Sequence, residues 1–141
     1  MGDAQTVVLD LAHAVEVKAA HGVELSAPER VLSDLAWIDI TVAPNGFLGW
    51  LDMSSADRLR ETATALAAVG ATQVGELVAQ VFATVGLDPA TMTDEVKDDL
   101  VEGLSAEAVV RLEQLGDAMF DLTEDYMARC HAYAQTHGLA A

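Results

Sequence analysis

Apolar residues recur every three to four positions along most of the chain, which is the spacing of amphipathic α-helices. The first such segment covers about 4–21, and Gly22 is expected to end it. A second helix begins at an S-x-x-E capping box formed by Ser26 and Glu29. The tripeptide at 44–46, Pro-Asn-Gly, is expected to break this helix. The aromatic and apolar residues directly after it are expected to fill the core.

The rest of the chain carries further helix starts and stops. The predicted starts are Ser54 with Asp57, Thr72, Thr93, Ser105 and about residue 123, and the predicted ends are Gly70, Gly86, about Leu104, about Phe120 and about residue 137. The segment 37–42, WIDITV, alternates apolar and polar residues as a strand would. Its apolar positions also continue the helical spacing upstream, and a single strand would have no partner. The sequence therefore predicts an all-α fold, a single-domain bundle of six or seven helices over residues 1–141.

Composition supports a folded chain with an acidic surface. The 141 residues are 52% hydrophobic, yet 23 acidic residues face only 7 basic ones, for a net charge of −16. A disordered acidic chain would be poor in apolar residues, so a core surrounded by carboxylates is expected instead. Binding to nucleic acid depends mainly on Lys and Arg that neutralise phosphates. Direct contact with nucleic acid or with an anionic membrane is therefore not expected, and a cationic partner is.

The negative charge is concentrated in one part of the chain. Residues 1–85 hold 11 acidic and 4 basic residues, whereas residues 86–125, here called the acidic block, hold 12 acidic and 2 basic ones. Within this block, acids recur at steps of four, which places them along helix faces. The predicted partner-binding residues are Asp94, Glu95, Asp98, Asp99, Glu102, Glu113, Asp117, Asp121, Glu124 and Asp125.

The density of this charge can be compared with that of DNA. Acids at every fourth position put one carboxylate in about 6 Å of helix. Duplex DNA carries one phosphate in about 3.4 Å of axis on each strand. A DNA-like density would therefore need two or three neighbouring helices, or a dimer.

Motifs for catalysis or metal binding do not emerge from the sequence. Residues 88–99 have Ala, Met and Thr at the positions where an EF-hand loop needs acids and a glycine. No histidine follows a glutamate by three positions, as it does in di-iron bundles. A nucleophile elbow and a glycine-rich phosphate loop are also missing. The single cysteine, Cys130, lies among apolar residues and is interpreted as a buried thiol. We expect no cofactor, no metal and no enzymatic activity.

Location is predicted from what the sequence lacks. The first ten residues, MGDAQTVVLD, lack the basic start of a signal peptide. The longest uncharged run, residues 62–75, is too short to span a bilayer as a helix. A cytoplasmic protein is expected.

One segment resembles a known family. Residues 37–85 contain an apolar helix, the turn Pro44-Asn45-Gly46-Phe47, the pair Trp50-Leu51 and a helix that ends at Val69-Gly70-Ala71. This order resembles the bacterial DNA-mimic protein family, an acidic helical domain formerly of unknown function. Residues 105–137 resemble its acidic C-terminal helices more loosely. The family pattern has N-G-G before the phenylalanine, where this chain has Pro-Asn-Gly.

The resemblance implies an acidic, helical and dimeric protein that occupies the DNA-binding surface of a regulator. Our leading hypothesis is accordingly a module that mimics the charge of DNA and binds a basic DNA-binding protein such as a transcription regulator. An acidic immunity protein or antitoxin that neutralises a cationic nuclease is the first alternative. An enzyme with an unrecognised helical site is a second, and acidity as an adaptation to a salty host is a third.

Overall fold

The computed structural model describes residues 2–122 and 125–140. Over these residues it consists of seven α-helices and contains no strand. The helices are α1 Gly2–Ala20, α2 Ala27–Met53, α3 Ala56–Val69, α4 Thr72–Val85, α5 Asp94–Glu102, α6 Ala106–Phe120 and α7 Tyr126–Thr136. The predicted all-α class is thus confirmed, and the WIDITV segment lies in a helix.

Helix α2 is the centre of the fold. Five helices pack against it, namely α1, α3, α5, α6 and α7, while α4 packs against α3 and α6. Its side chains Phe47 and Trp50 are fully buried, as predicted for the residues after the break. The Trp50 ring stacks on Phe82 of α4 at 6.1 Å between ring centroids and meets Phe47 edge-on at 5.7 Å. These aromatic contacts join α2 to α4 across the core.

The predicted break in α2 is a kink. Pro44 lies inside the helix and Gly46 has non-helical backbone angles, with φ 68° and ψ −178°. Such angles are open to glycine because other residues would place a Cβ against the backbone. The kink lies where α6 crosses, since a Cβ added to Gly116 of α6 would lie 4.0 Å from the Cα of Gly46.

Most helix starts follow the predicted caps. The Ser26–Glu29 capping box is present, and the hydroxyl groups of Thr93 and Ser105 accept bonds from the backbone of α5 and α6. Two predicted caps are wrong. Ser55, one residue later than predicted, caps α3, and α4 starts after Ala71 without a side-chain cap.

Ser54 has a different role. Its hydroxyl is buried, accepts a hydrogen bond from the Trp37 indole at 2.9 Å and donates one to the Trp50 carbonyl. Because its hydroxyl is bonded inside the core, Ser54 cannot also cap the start of α3.

Cys130 of α7 is also fully buried, as predicted. Within the described ranges, no helix is long and apolar enough to cross a membrane.

Candidate partner-binding surface

Helix α5 presents five of the predicted residues. Their side chains are all exposed: Asp94, Glu95, Asp98, Asp99 and Glu102. Asp94 also has a structural contact, because its carboxylate accepts a hydrogen bond from the backbone nitrogen of Ala56 at 2.7 Å. This bond ties the start of α5 to the start of α3. Because Asp98 pairs with Lys97, the better candidates for contact with a partner are Glu95, Asp99 and Glu102.

The basic residue of α5 points the other way. Lys97 is buried, and its ammonium group lies 2.8 Å from the carboxylate of Asp98 and 3.4 Å from the Asp52 carbonyl. A buried ammonium is stable only when it is paired and hydrogen-bonded in this way. The cation of α5 is therefore directed towards α2, and the acids remain outside.

Four further predicted residues lie on α6 and at the α6–α7 junction, and each of them is exposed. Glu113 and Asp117 lie on α6, and Asp121 ends that helix. Asp125 caps α7, accepting a hydrogen bond from the Ala128 nitrogen at 3.0 Å. Glu124 lies outside the described residues. The described residues of the predicted set thus fall on α5, on α6 and at the α6–α7 junction, and both α5 and α6 pack against α2.

Acids in the first 85 residues are neutralised much more often. Lys18 binds Glu29 at 2.5 Å, Arg60 binds Asp57 at 2.7 Å, and Arg58 binds two further carboxylates. The hydrogen bond from Lys18, together with one from the Ser26 backbone, lowers the pKa of Glu29 to about 2. In the described part of the acidic block, by contrast, Asp98 is the one acid within 4.0 Å of a cationic group. The block therefore keeps its charge facing outward.

A second polar cluster, here called the Arg58 cluster, joins α1, α2 and α3. It consists of Glu16, Ser33, Asp34, Arg58 and Glu61. Arg58 lies 3.0 Å from Glu16 and 3.3 Å from the buried Asp34, and it donates to Ser33 at 2.9 Å. Ser33 in turn donates to Glu16 at 2.5 Å and lowers the pKa of that carboxyl.

Asp34 has the most perturbed carboxyl of the Arg58 cluster. Burial raises its pKa to about 7 against the attraction of Arg58, and the neighbouring Glu61 raises it further. A cavity of about 250 Å³ opens beside the cluster and is lined by all five of its members. Among the described residues, those of this cluster included, no group of three or more His, Cys, Asp and Glu side chains is arranged to hold a metal ion.

Two exposed apolar residues of α6 were missed by the sequence analysis. Phe120 is 67% exposed and Val110 is 50% exposed. Their spacing of ten residues puts them on the same side of α6 as Glu113 and Asp117. The sequence contains a signal for this exposure. Both apolar residues lie at helical intervals from the acids, whereas core residues would lie at such intervals from Leu112 and Leu115.

A family model described as DMP19-like protein matches residues 23–137. The chain belongs to the DMP19-like protein family. DMP19 stands for DNA mimic protein 19, so the resemblance to the bacterial DNA-mimic family is confirmed over most of the chain. No curated protein and no solved structure gives a significant match.

The turn at residues 44–47 lies at the kink of α2. With Phe47 matched to the phenylalanine of the N-G-G-F pattern in the resemblance described above, the second glycine of that pattern falls at Gly46. That is the residue with positive φ in the kink of α2. The chain thus has glycine at the position of the turn where the backbone requires it.

Proposed function

We propose that this DMP19-like protein binds a basic DNA-binding protein and occupies the surface that would otherwise hold DNA. The observation that carries the proposal is the outward-facing charge of the acidic block. Its described acids are all exposed, and one of them is paired with a cation. Membership of a DNA-mimic family supports the same function.

The physical basis is electrostatic. Exposed carboxylates on α5 and α6 attract a cationic surface over a distance of about 10 Å at 0.1 M salt, which accelerates association. A partner that binds through such charges loses affinity as salt rises. A surface made for phosphates offers Arg and Lys side chains, and carboxylates accept hydrogen bonds from the same groups.

The first experiment identifies the partner and its competition with DNA. The chain is immobilised, and the heparin-binding fraction of a lysate of the source cell is passed over it at low salt and eluted with a salt gradient. Each retained protein is then purified, bound to a fluorescent duplex, and titrated with the chain. We expect a DNA-binding protein to be retained and to release its duplex.

A pair of variants with equal change in charge tests the acidic block itself. Glu95→Gln, Asp99→Asn and Glu102→Gln together remove three charges from one face of α5. The matched control removes three exposed charges elsewhere, through Asp10→Asn, Glu24→Gln and Glu76→Gln. We expect the α5 variant to need at least about tenfold more protein to release the duplex, as a loss of about 1.4 kcal/mol would produce. The control should stay within about threefold of the unmodified chain, since long-range attraction alone is screened by salt.

Several results would contradict the proposal. Retention of no DNA-binding protein, or of one that keeps its duplex, would exclude it. Equal losses for the two triple variants would show that total charge matters and the α5 face does not. Capture of a nuclease whose activity the chain blocks would favour the immunity-protein alternative.

A further inference from the structure

Phe120 is the most exposed large apolar side chain among the described residues, and it lies within the acidic block. Its neighbours on the outer side of α6 are Val110, Glu113 and Asp117, with Asp121 ending the helix. At 100° per residue these five positions fall within about 100° of the helix circumference and extend over about 15 Å. They are here called the outer face of α6.

The opposite side of α6 accounts for the packing of this helix. Leu112, Leu115 and Gly116 are buried there against the core and against α2. Phe120 is not among the side chains of α6 that form the core or pack against it. About two-thirds of this phenylalanine lies in water, and an apolar contact with another molecule would favourably remove that surface from water.

The charges around Phe120 indicate what kind of molecule this would be. Three carboxylates share the outer face, while Arg111, the basic residue of α6, binds Gln80 of α4 at 2.8 Å. A second copy of the chain would bring further acids against these, and like charges brought together oppose association. A cationic protein surface with an apolar recess meets both the carboxylates and the ring.

We propose that Phe120 is the apolar anchor of the partner-binding surface, inserting into a recess between basic side chains of the DNA-binding protein. The carboxylates of the outer face lie around the anchor and pair with those basic side chains. Interfaces commonly obtain much of their affinity from a few aromatic anchors surrounded by polar contacts. The anchor also makes binding selective for this partner, because carboxylates alone would bind other cationic proteins equally well.

The test uses the duplex-release titration with the DNA-binding protein retained from the heparin-binding fraction, and it rests on the proposed function. Affinity is measured for Phe120→Ala at four salt concentrations. We expect at least tenfold weaker binding with the same slope of log affinity against log salt, because no charge is removed. Asp117→Asn, by contrast, should lower the slope. Phe120→Leu should lose less than Phe120→Ala, since it keeps most of the apolar surface.

Val23→Ala is the matched control. Val23 is 48% exposed and lies before the start of α2, whereas α6 crosses α2 at Gly46, about 28 Å further along that helix. We expect Val23→Ala to bind as the unmodified chain does. Thermal unfolding of Phe120→Ala should change little, because about two-thirds of this side chain is already in water.

The outcomes separate the two proposals. If no DNA-binding protein is retained, the proposed function and the anchor both fail. If one is retained and Phe120→Ala binds within twofold of the unmodified chain, or Val23→Ala loses as much, the anchor alone is wrong. If Phe120→Ala converts a dimer into monomers in light scattering, the ring belongs to an interface between two copies, which also overturns the anchor.

Discussion

Asp34 is a carboxyl group held where its charge is unfavourable. It is 5% exposed on α2, with one arginine, Arg58, and one further acid, Glu61, beside it. The single arginine is shared with Glu16, so it offsets only part of the cost of burial. The result is a pKa of about 7 in the folded chain.

This pKa predicts a pH-dependent stability. The folded value of about 7 lies above the ordinary value of 3.8, so the folded state binds the proton more tightly than the unfolded one. The favourable contribution is complete below pH 3.8 and is lost as pH rises through 7. From pH 5 to 8 the unfolding free energy should fall by roughly 2–3 kcal/mol on account of Asp34. Urea unfolding should show this fall for the unmodified chain and a much smaller one for Asp34→Asn.

The control for this prediction is Asp10→Asn, which removes an exposed carboxylate from α1. Its pH dependence should run parallel to that of the unmodified chain. At pH 8 Asp34→Asn should also be the most stable of the three proteins. Parallel profiles for all three would show that Asp34 is ionised in the folded state at low pH, contrary to the structure.

Cys130 gives a second prediction for a single residue. Burial raises the pKa of its thiol to about 12, and nearby acids act in the same direction. At pH 8 such a thiol holds about a thousandfold less thiolate than an ordinary one with a pKa of 8.5. Ellman's reagent should therefore react with the folded chain at least about a hundredfold more slowly than with the chain in urea. Equally fast reaction in both would contradict the buried position.

In helix α2, local sequence determines where the helix starts, and tertiary packing determines how far it continues. Its start is set by the capping box of Ser26 and Glu29, which any reading of the sequence can find. Beyond Pro44 the helix continues because only Gly46 adopts non-helical backbone angles, after which the chain returns to helical geometry. The extent of this continuation follows from the burial of Phe47 and Trp50 against other helices.

Two glycines at the contact of α2 with α6 should respond in opposite ways to alanine. Gly46→Ala should destabilise the fold by about 1–3 kcal/mol, because alanine is strained at φ 68° and ψ −178°. Gly116→Ala should stabilise it by about 0.5–1 kcal/mol, because the site is helical and the new Cβ has ordinary contact distance to Gly46. Urea unfolding of the two variants measures both effects, and a shift of the same sign in both would contradict this account of the kink.

The sequence predicted a bundle of six or seven helices because caps, glycine stops and apolar spacing are local signals. Ser54 shows where such signals mislead. It precedes a helix and an acid follows three residues later, yet its hydroxyl is bonded to Trp37 and Trp50 in the core, and Ser55 caps α3. Only the packing of distant residues decides between two adjacent serines.

For the whole molecule, charge should work against folding. The acidic block contains four pairs of described acids four residues apart within α5 and α6, each destabilising a helix by about 0.2–0.5 kcal/mol at low salt. Salt screens such repulsion. Raising NaCl from 10 to 500 mM should therefore increase the thermal midpoint by at least about 3 °C.

The triple variant of Glu95, Asp99 and Glu102 provides the comparison for this effect. It should have a higher midpoint at 10 mM salt and a smaller increase on addition of NaCl. An unmodified chain indifferent to salt, or a variant with an unchanged response, would show that the acids of α5 are too far apart in the folded state to repel.

The candidate surface was predictable only in part. Acidic residues at steps of four identify exposed faces of α5 and α6, because charges are rarely buried without partners. The exposure of Phe120 was harder to predict, since its helical interval from Glu113 and Asp117 indicates the outer side of α6 whereas a phenylalanine in an amphipathic helix normally faces the core. The contacts of Asp34 and Arg58 also join residues far apart in the chain, and no local pattern reports them.

Trp37 gives the molecule an optical signal of its own. Its ring lies 4.9 Å below the guanidinium of Arg58, and Arg58 pairs with Asp34, whose proton leaves near neutral pH. Indole emission responds to nearby charge, whereas the second tryptophan, Trp50, is enclosed in the core. The emission of the unlabelled chain should therefore change between pH 5 and 8, and this change should disappear in Asp34→Asn and in Trp37→Phe. The protonation of Asp34, where three helices meet, can thus be followed by the intrinsic fluorescence of the chain, without a dye or a tag.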